Sequence, residues 1–249
     1  MIHHVSIITG LLEENVRFYT EKLGMTFVKK TVNFDDPFTY HLYYGNKNAD
    51  PGSIVTFFVH PGTSQGKKGK GVAHGLILSV PLEKYDELGD KIYDPEGLLI
   101  KLIPTDIEKN FYKILGVITT ASKEFHEKFS LNSKSEFVEL DGFGEMGAGI
   151  IHHTAFATEN EDTQIKLRES LTNYTHPSPV IDRFYFKSIY FQEPNGCLIE
   201  IATMGPGFDI DEDKYNENGN VIFSRELKLP PQYKNYRDKI EPRLPKLII

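Results

Sequence analysis

Short apolar runs typical of β-strands recur along the chain, with polar turns between them. Residues 2–9 and 151–158 both have strand patterns, and the second run repeats the first in altered form. A helix pattern follows each run, with apolar residues on one face (Val16, Tyr19 and Leu23; Leu167, Leu171 and Tyr174). The repeat predicts two copies of a module that begins with a strand and a helix.

Further strand patterns follow each helix, at residues 25–32, 39–44 and 53–59 in the first copy and at 184–191 and 197–203 in the second. A five-residue pattern, Gly-x-apolar-apolar-X, marks the last strand of a module and occurs three times. Its final position is occupied by Thr56, Lys101 and Glu200, so only the third copy carries a carboxylate. These patterns predict an α+β fold of repeated modules, each a strand, a helix and then several strands, with two abbreviated modules in the middle of the chain.

The predicted division is a first βαβββ module over 1–60, two shortened modules over 61–147, a last βαβββ module over 148–204 and a C-terminal tail over 205–249. The tail is acidic and then rich in proline, and little in it suggests a core element. We expect it to wrap the surface or a neighbouring subunit, which leaves a homodimer open, or to form a disordered end.

Charge and composition narrow the class of protein. The formal net charge is −7, which disfavours binding to a phosphate backbone. A lysine cluster among glycines (Lys67, Lys68 and Lys70) is typical of a solvated turn, so we expect no nucleic-acid partner. No apolar run is long enough to span a membrane, and no secretion pattern opens the chain. Together with a single cysteine, Cys197, these features predict a cytoplasmic protein.

A histidine pair lies near the start of each repeated strand: His3 and His4, then His152 and His153. Neighbouring side chains of a strand point to opposite faces, so only one histidine of each pair faces a given cavity. We assign His4 and His153 inward, since each directly precedes the apolar body of its strand. The other histidine of each pair is expected on the opposite face or in a local hydrogen bond. Glu200 lies among apolar residues, where an unpaired carboxylate is costly and a metal removes the cost.

The pattern therefore predicts a metal site formed by His4, His153 and Glu200. Structural histidines and a surface position for Glu200 are the alternatives, and the recurrence at equivalent positions favours the metal. Two imidazoles and one carboxylate leave coordination positions open, as in non-haem Fe(II) oxygenases.

Short motifs at both ends of the chain carry a family resemblance: IHHV (2–5), KTVNFDDP (30–37), TYHLYYG (39–45), MGAG (146–149), HH (152–153), DR (182–183), SIYF (188–191), EIAT (200–203), PGF (206–208) and LPPQY (229–233). Together they resemble the glyoxalase-family ring-cleaving dioxygenases of the vicinal oxygen chelate superfamily. These are related to bacterial hydroquinone- and catechol-type dioxygenases. The resemblance implies paired βαβββ modules around a divalent metal, with His4, His153 and Glu200 as its ligands.

The resemblance also implies an Fe(II) cofactor, with Mn, Zn or Ni as open alternatives, and a small aromatic diol or quinone-derived substrate together with O2. The wider extradiol dioxygenase family has a tyrosine ten residues before the carboxylate ligand, on a neighbouring strand. In this sequence that position is Tyr190. Its implied catalytic role is a hydrogen bond to a substrate oxygen, and a packing role stays open. We expect aromatic side chains such as Phe34, Tyr40 and Phe184 to line the pocket.

Two departures from the family pattern leave other functions open. Its members usually run longer, and the missing length falls in the middle modules. No residue clearly matches the acid–base histidine of such enzymes, although His41 and His176 are candidates by residue type. The preferred function is ring-cleaving dioxygenation of hydroquinone- or catechol-like aromatics. A glyoxalase-like isomerase or thiol transferase using Zn, Ni or Mn, and a non-catalytic binding protein, are the alternatives. Thr56 and Lys101 are poor ligands, which disfavours the four-ligand isomerase.

Overall fold

The computed structural model describes residues 1–107 and 111–247 of the chain. Within these ranges, thirteen strands join into one mixed sheet. The strands are β1 (Ile2–Thr9), β2 (Thr26–Val32), β3 (Tyr40–Gly45), β4 (Ile54–Val59), β5 (Ala73–Pro81), β6 (Lys91–Tyr93), β7 (Leu99–Thr105), β8 (Lys113–Thr119), β9 (Glu136–Phe137), β10 (Ile151–Thr158), β11 (Ile181–Asp182), β12 (Phe186–Gln192) and β13 (Leu198–Pro206). The helices are α1 (Leu12–Arg17), extended by a π-helical turn (Phe18–Lys22), α2 (Leu82–Leu88), α3 (Lys123–Lys128), α4 (Glu161–Leu171) and α5 (Arg237–Ile240), with 3-10 helices at Pro231–Tyr236 and Glu241–Arg243.

The order of elements repeats along the chain. The first copy runs β1-α1-β2-β3-β4, and the last runs β10-α4-β11-β12-β13. Between them, β5-α2-β6-β7 is one strand shorter and β8-α3-β9 is two strands shorter. The predicted α+β class, with paired βαβββ modules and two abbreviated middle modules, is confirmed. The proposed division of the chain stays a prediction, and β13 continues to Pro206, past the proposed boundary at 204.

The first and last modules meet at the centre of the sheet. β1 pairs antiparallel with β10, and each of them pairs parallel with the last strand of its own module, β4 or β13. In this register His4 lies opposite Ala155, which lies opposite Glu200 on β13. His153 lies opposite Ser6. The strand pairing thus brings side chains far apart in the sequence into one region of the sheet.

Along the central strands, successive side chains point alternately into the apolar core and towards the candidate site. All eight residues of β1 are buried, but Val5 and Ile7 belong to the main apolar core, whereas His4 points into a cavity. On β3, Leu42 and Tyr44 belong to the same core. Their neighbours His41 and Tyr43 therefore project from the opposite face of the strand, towards the cavity.

The C-terminal tail contributes core residues, contrary to the expectation from its composition. Phe208 is buried against Tyr185 and Phe186. Leu227 forms an isolated β-bridge with Lys30 of β2 and belongs to the main core. Three other apolar residues of the tail belong to the same core (Leu229, Ile240 and Leu244). These core positions escape prediction because the apolar residues are isolated in short segments and so show no helix or strand period. Among the described residues, none of the helices has the length and hydropathy needed to cross a bilayer.

Candidate metal centre

Three buried side chains converge where β1, β10 and β13 lie side by side. The Nε2 atoms of His4 and His153 lie 3.2 and 2.9 Å from Oε2 of Glu200. One donor atom from each of the three residues lies within 4.8 Å of the others. The structure therefore brings together the three residues that the sequence singled out.

The two carboxylate oxygens of Glu200 have different surroundings. Oε1 accepts hydrogen bonds from the hydroxyl of Ser188 and from the phenol of Tyr190, the latter at 3.0 Å. Oε2 is buried, and apart from the two facing imidazole nitrogens it has no polar partner among the described residues. A buried anionic oxygen is unfavourable unless a donor or a cation accompanies it. Oε2 and the two facing imidazole nitrogens form a donor set suited to a divalent transition metal.

The electrostatics of Glu200 keep it ionised. Burial alone raises the pKa of this carboxyl, but the imidazoles of His4 and His153 outweigh that effect and hold the pKa well below its ordinary value. The carboxylate is therefore available to a cation at neutral pH.

The first histidine of each pair supports the second through a local hydrogen bond, one of the two arrangements expected from the sequence. Nδ1 of His3 lies 2.9 Å from Nδ1 of His4, and Nδ1 of His152 lies 2.8 Å from Nδ1 of His153. Burial lowers the pKa of both His3 and His152 to about 3, so each is a neutral ring at neutral pH. A ligand imidazole that presents its lone pair at Nε2 carries its proton on Nδ1. The neighbouring ring can accept that proton in a hydrogen bond, which fixes the tautomer.

A cavity of about 370 Å³ opens beside the three residues. Aromatic and apolar side chains form much of its wall (Phe34, Tyr43, Phe58, Phe186 and Leu198). The expectation for Phe34 is met, but Tyr40 and Phe184 are not among the lining residues. Tyr40 lies on the core face of β3, with its side chain in the main core. Phe184 precedes β12 in a left-handed backbone conformation (φ 66°), so the strand alternation does not extend to it.

Of the two histidines considered by residue type, only His41 lies at the cavity. Its Nε2 is 2.8 Å from the hydroxyl of Thr56, and its Nδ1 is 2.9 Å from the hydroxyl of Tyr43. Burial, together with His4 and other nearby groups, lowers the pKa of His41 well below its ordinary value, so the ring is neutral. His176 lies in a separate surface depression near the end of α4.

Thr56 and Lys101 occupy the same position of the repeated five-residue pattern as Glu200, and both contact side chains other than the three proposed ligands. The hydroxyl of Thr56 also lies 2.7 Å from that of Ser6, within the same buried network as His41. Lys101 forms an ion pair with Glu136, at 2.7 Å. Neither side chain is placed as a further ligand.

Arg183 is a site residue to which sequence reasoning assigned no role, although its motif was part of the family resemblance. Its Nε donates to the phenol oxygen of Tyr190 at 3.1 Å, and its two terminal nitrogens bind both oxygens of Asp35 at 3.0 and 2.9 Å. Tyr190 in turn donates to Glu200, its neighbour across β12 and β13. Burial and the Glu200 carboxylate raise the pKa of Tyr190 well above its ordinary value, so the phenol keeps its proton.

Comparison with known proteins places this architecture in a family. The family model described as "Glyoxalase/Bleomycin resistance protein/Dioxygenase superfamily" matches residues 1–201. The chain is 34% identical to the "Putative ring-cleaving dioxygenase MhqE" of Bacillus subtilis, over 99% of this chain and 98% of the relative. It is 24% identical to the "Chlorohydroquinone/hydroquinone 1,2-dioxygenase" of Sphingobium indicum, over 96% of this chain and 94% of the relative.

A solved structure extends the comparison to three dimensions. The crystal structure of a "putative dioxygenase" from Bacillus subtilis matches with a TM-score of 0.84 and 29% sequence identity, over 99% of this chain and 97% of the other. The sequence match and the shared architecture agree from the first strand to the tail. This protein therefore belongs to the glyoxalase, bleomycin resistance protein and dioxygenase superfamily.

Proposed function

We propose that this protein is a ring-cleaving dioxygenase that acts on hydroquinone- or catechol-like aromatics, with Fe(II) bound by His4, His153 and Glu200. The observation that carries the proposal is the buried Oε2 of Glu200, which faces only two imidazole nitrogens among the described residues, beside an aromatic-lined cavity. The names of the relatives, which include a hydroquinone 1,2-dioxygenase, support the same chemistry.

Fe(II) held by His4, His153 and Glu200 would supply open coordination positions for one or two substrate oxygens and for O2, and a path for electrons between them. Mn, Zn and Ni accept the same donors, so the choice of Fe(II) rests on the proposed reaction. The cavity volume is within the range of small-molecule sites. Phe58 and Phe186 present apolar surface to a flat ring and keep water from the reacting atoms.

Tyr190 is the residue proposed to hydrogen-bond a substrate oxygen. Its phenol donates its proton to Glu200 and accepts one hydrogen bond from Arg183. One lone pair of the phenol oxygen then remains for a substrate hydroxyl. The same contacts hold Oε1 of Glu200 in place and so orient Oε2 towards the two imidazoles.

Replacing Tyr190 by Phe tests this role. We expect kcat/KM for the ring-cleavage substrate to fall by roughly ten- to a hundredfold, the range seen when groups that support a metal ligand are removed. The metal content should stay near that of the wild type, because all three donor atoms remain. Tyr174→Phe is the matched control, since Tyr174 is 50% exposed and lies outside the cavity. Equal kcat/KM for the two variants contradicts the role.

Oxygen consumption tests the proposed reaction itself. Protein purified and loaded with Fe(II) in the absence of O2 should consume one O2 per ring when supplied with hydroquinones or catechols. Mass spectrometry should then find a ring-opened product that has gained both oxygen atoms. If no substrate in such a panel causes uptake, and Zn- or Ni-loaded protein converts a hemithioacetal or a thiol-addition substrate, the isomerase or transferase alternative replaces this proposal.

A further inference from the structure

The LPPQY motif of the tail (residues 229–233) is not used by the metal centre, yet it reaches the wall of the cavity. Tyr233 lies in the 3-10 helix Pro231–Tyr236, and its hydroxyl donates to the backbone oxygen of Phe34 at 2.9 Å. The two residues are 199 positions apart in the sequence. Phe34 itself lines the cavity. The tail is thus in direct contact with the part of the protein that would face a substrate.

Tyr233 contacts the loop of residues 33–39, the wall segment. The wall segment closes on itself through two backbone hydrogen bonds, from Asn33 to the oxygen of Thr39 (2.8 Å) and from Thr39 to the oxygen of Asp36 (3.1 Å). Its first three residues line the cavity. Asp35 then joins Arg183 through two hydrogen bonds, and the guanidinium lies 6.0 Å from the centre of the Phe34 ring. Asp35 therefore links the wall segment to Arg183.

The tail itself is firmly attached next to Tyr233. Leu229 is buried in the main core, and the backbone nitrogen of Lys228 donates to the oxygen of Lys30 on β2 at 2.9 Å. Arg237, just past the 3-10 helix, donates to the backbone oxygen of Leu227 at 2.8 Å. A hydroxyl carried next to such anchored residues can hold the wall segment in one position.

Earlier in the tail, a second attachment is ionic and buried. The amine of Lys29 on β2 is fully buried and pairs with Asp211 and Glu212. Its nitrogen also lies 5.3 Å from the centre of the Tyr185 ring. Since a buried charge is costly unless it is paired, these contacts oppose separation of the tail from the body of the protein.

We propose that Tyr233 is a positioning residue for substrate binding. It fixes Phe34, and through Asp35 it fixes the guanidinium of Arg183 beside Tyr190. The C-terminal tail is then part of the substrate site, although it contributes no metal ligand. This inference rests on the proposed function, because it assigns the cavity to the aromatic substrate.

Replacing Tyr233 by Phe removes one oxygen atom and keeps the ring. Because a single hydrogen bond is lost, we expect KM for the aromatic substrate to rise about three- to tenfold, with a much smaller change in kcat. The metal content and the melting temperature should stay near the wild-type values. Tyr236→Phe is the matched control, since Tyr236 belongs to the same 3-10 helix and is 51% exposed.

Hydrogen exchange tests the inference without any substrate. The backbone amides of Asn33 and Thr39 should exchange faster in the Tyr233→Phe protein than in the Tyr236→Phe protein, as followed by mass spectrometry of peptides from the wall segment. Equal exchange in the two variants overturns the positioning role, as does an unchanged KM. A wild-type protein that consumes no oxygen contradicts the proposed function instead, and the exchange measurement then decides the role of Tyr233 by itself.

Discussion

Replacing Glu200 by Ala is expected to remove the metal and, with it, the activity. In the described parts of the chain, Glu200 is the one carboxylate grouped with His4 and His153. Without it we expect metal affinity to fall by roughly a hundredfold or more, beyond the ten- to a hundredfold cost of losing a supporting group. The hydroxyls of Ser188 and Tyr190 also lose their shared acceptor, at a cost of about 1–3 kcal/mol if they find no other. Elemental analysis of protein loaded without O2, together with oxygen uptake, measures both effects.

Two comparisons make the Glu200 experiment specific. Glu169→Ala removes an exposed carboxylate from α4 and should leave the metal content unchanged. His152→Gln removes a supporting ring but no proposed ligand, so it should cost far less metal than Glu200→Ala. Wild-type metal content in the Glu200→Ala protein means that the ion binds elsewhere, and the proposed centre is then wrong.

Ending the chain after residue 145 is expected to prevent both folding and metal binding. The shortened chain lacks β10 to β13, including His153 and Glu200. β1 loses its antiparallel partner although all eight of its residues are buried in the complete protein. Newly exposed Val5 and Ile7 cost about 1.5–3 kcal/mol each, a large share of the stability of a typical domain.

Circular dichroism and thermal unfolding of the 1–145 chain measure this effect. We expect no cooperative transition and no stoichiometric metal. Coexpression of residues 146–249 as a second chain provides the control, since the missing strands can then pair with β1 and restore the centre. A 1–145 chain that folds alone and binds one metal contradicts the pairing of the first and last modules as the basis of the site.

The proposed ligands could be predicted from the sequence because each belongs to a repeated local pattern. His4 and His153 occupy equivalent positions in two similar strands. Strand alternation separates His4 from His3 at the cavity, whereas His152 and His153 both line it. Glu200 stands out as the one charged residue of an apolar strand pattern. The family resemblance implied that Tyr190 lies on the strand beside Glu200, and the register of β12 and β13 pairs these residues directly. Period and spacing are local properties, so they can be read without a structure.

Other features depended on contacts that no local pattern encodes. Asp35 and Arg183 meet across 148 positions of the sequence, and Tyr233 reaches Phe34 from the tail. The choice of Phe34 rather than Phe184 for the cavity wall depended on backbone conformations outside regular strands. The buried residues of the tail escaped prediction for a related reason, since isolated apolar side chains acquire a core position only when a distant strand packs against them. Repetition and alternation in the sequence determined the strands and the proposed ligands, whereas only the tertiary structure decided which loops and which part of the tail surround them.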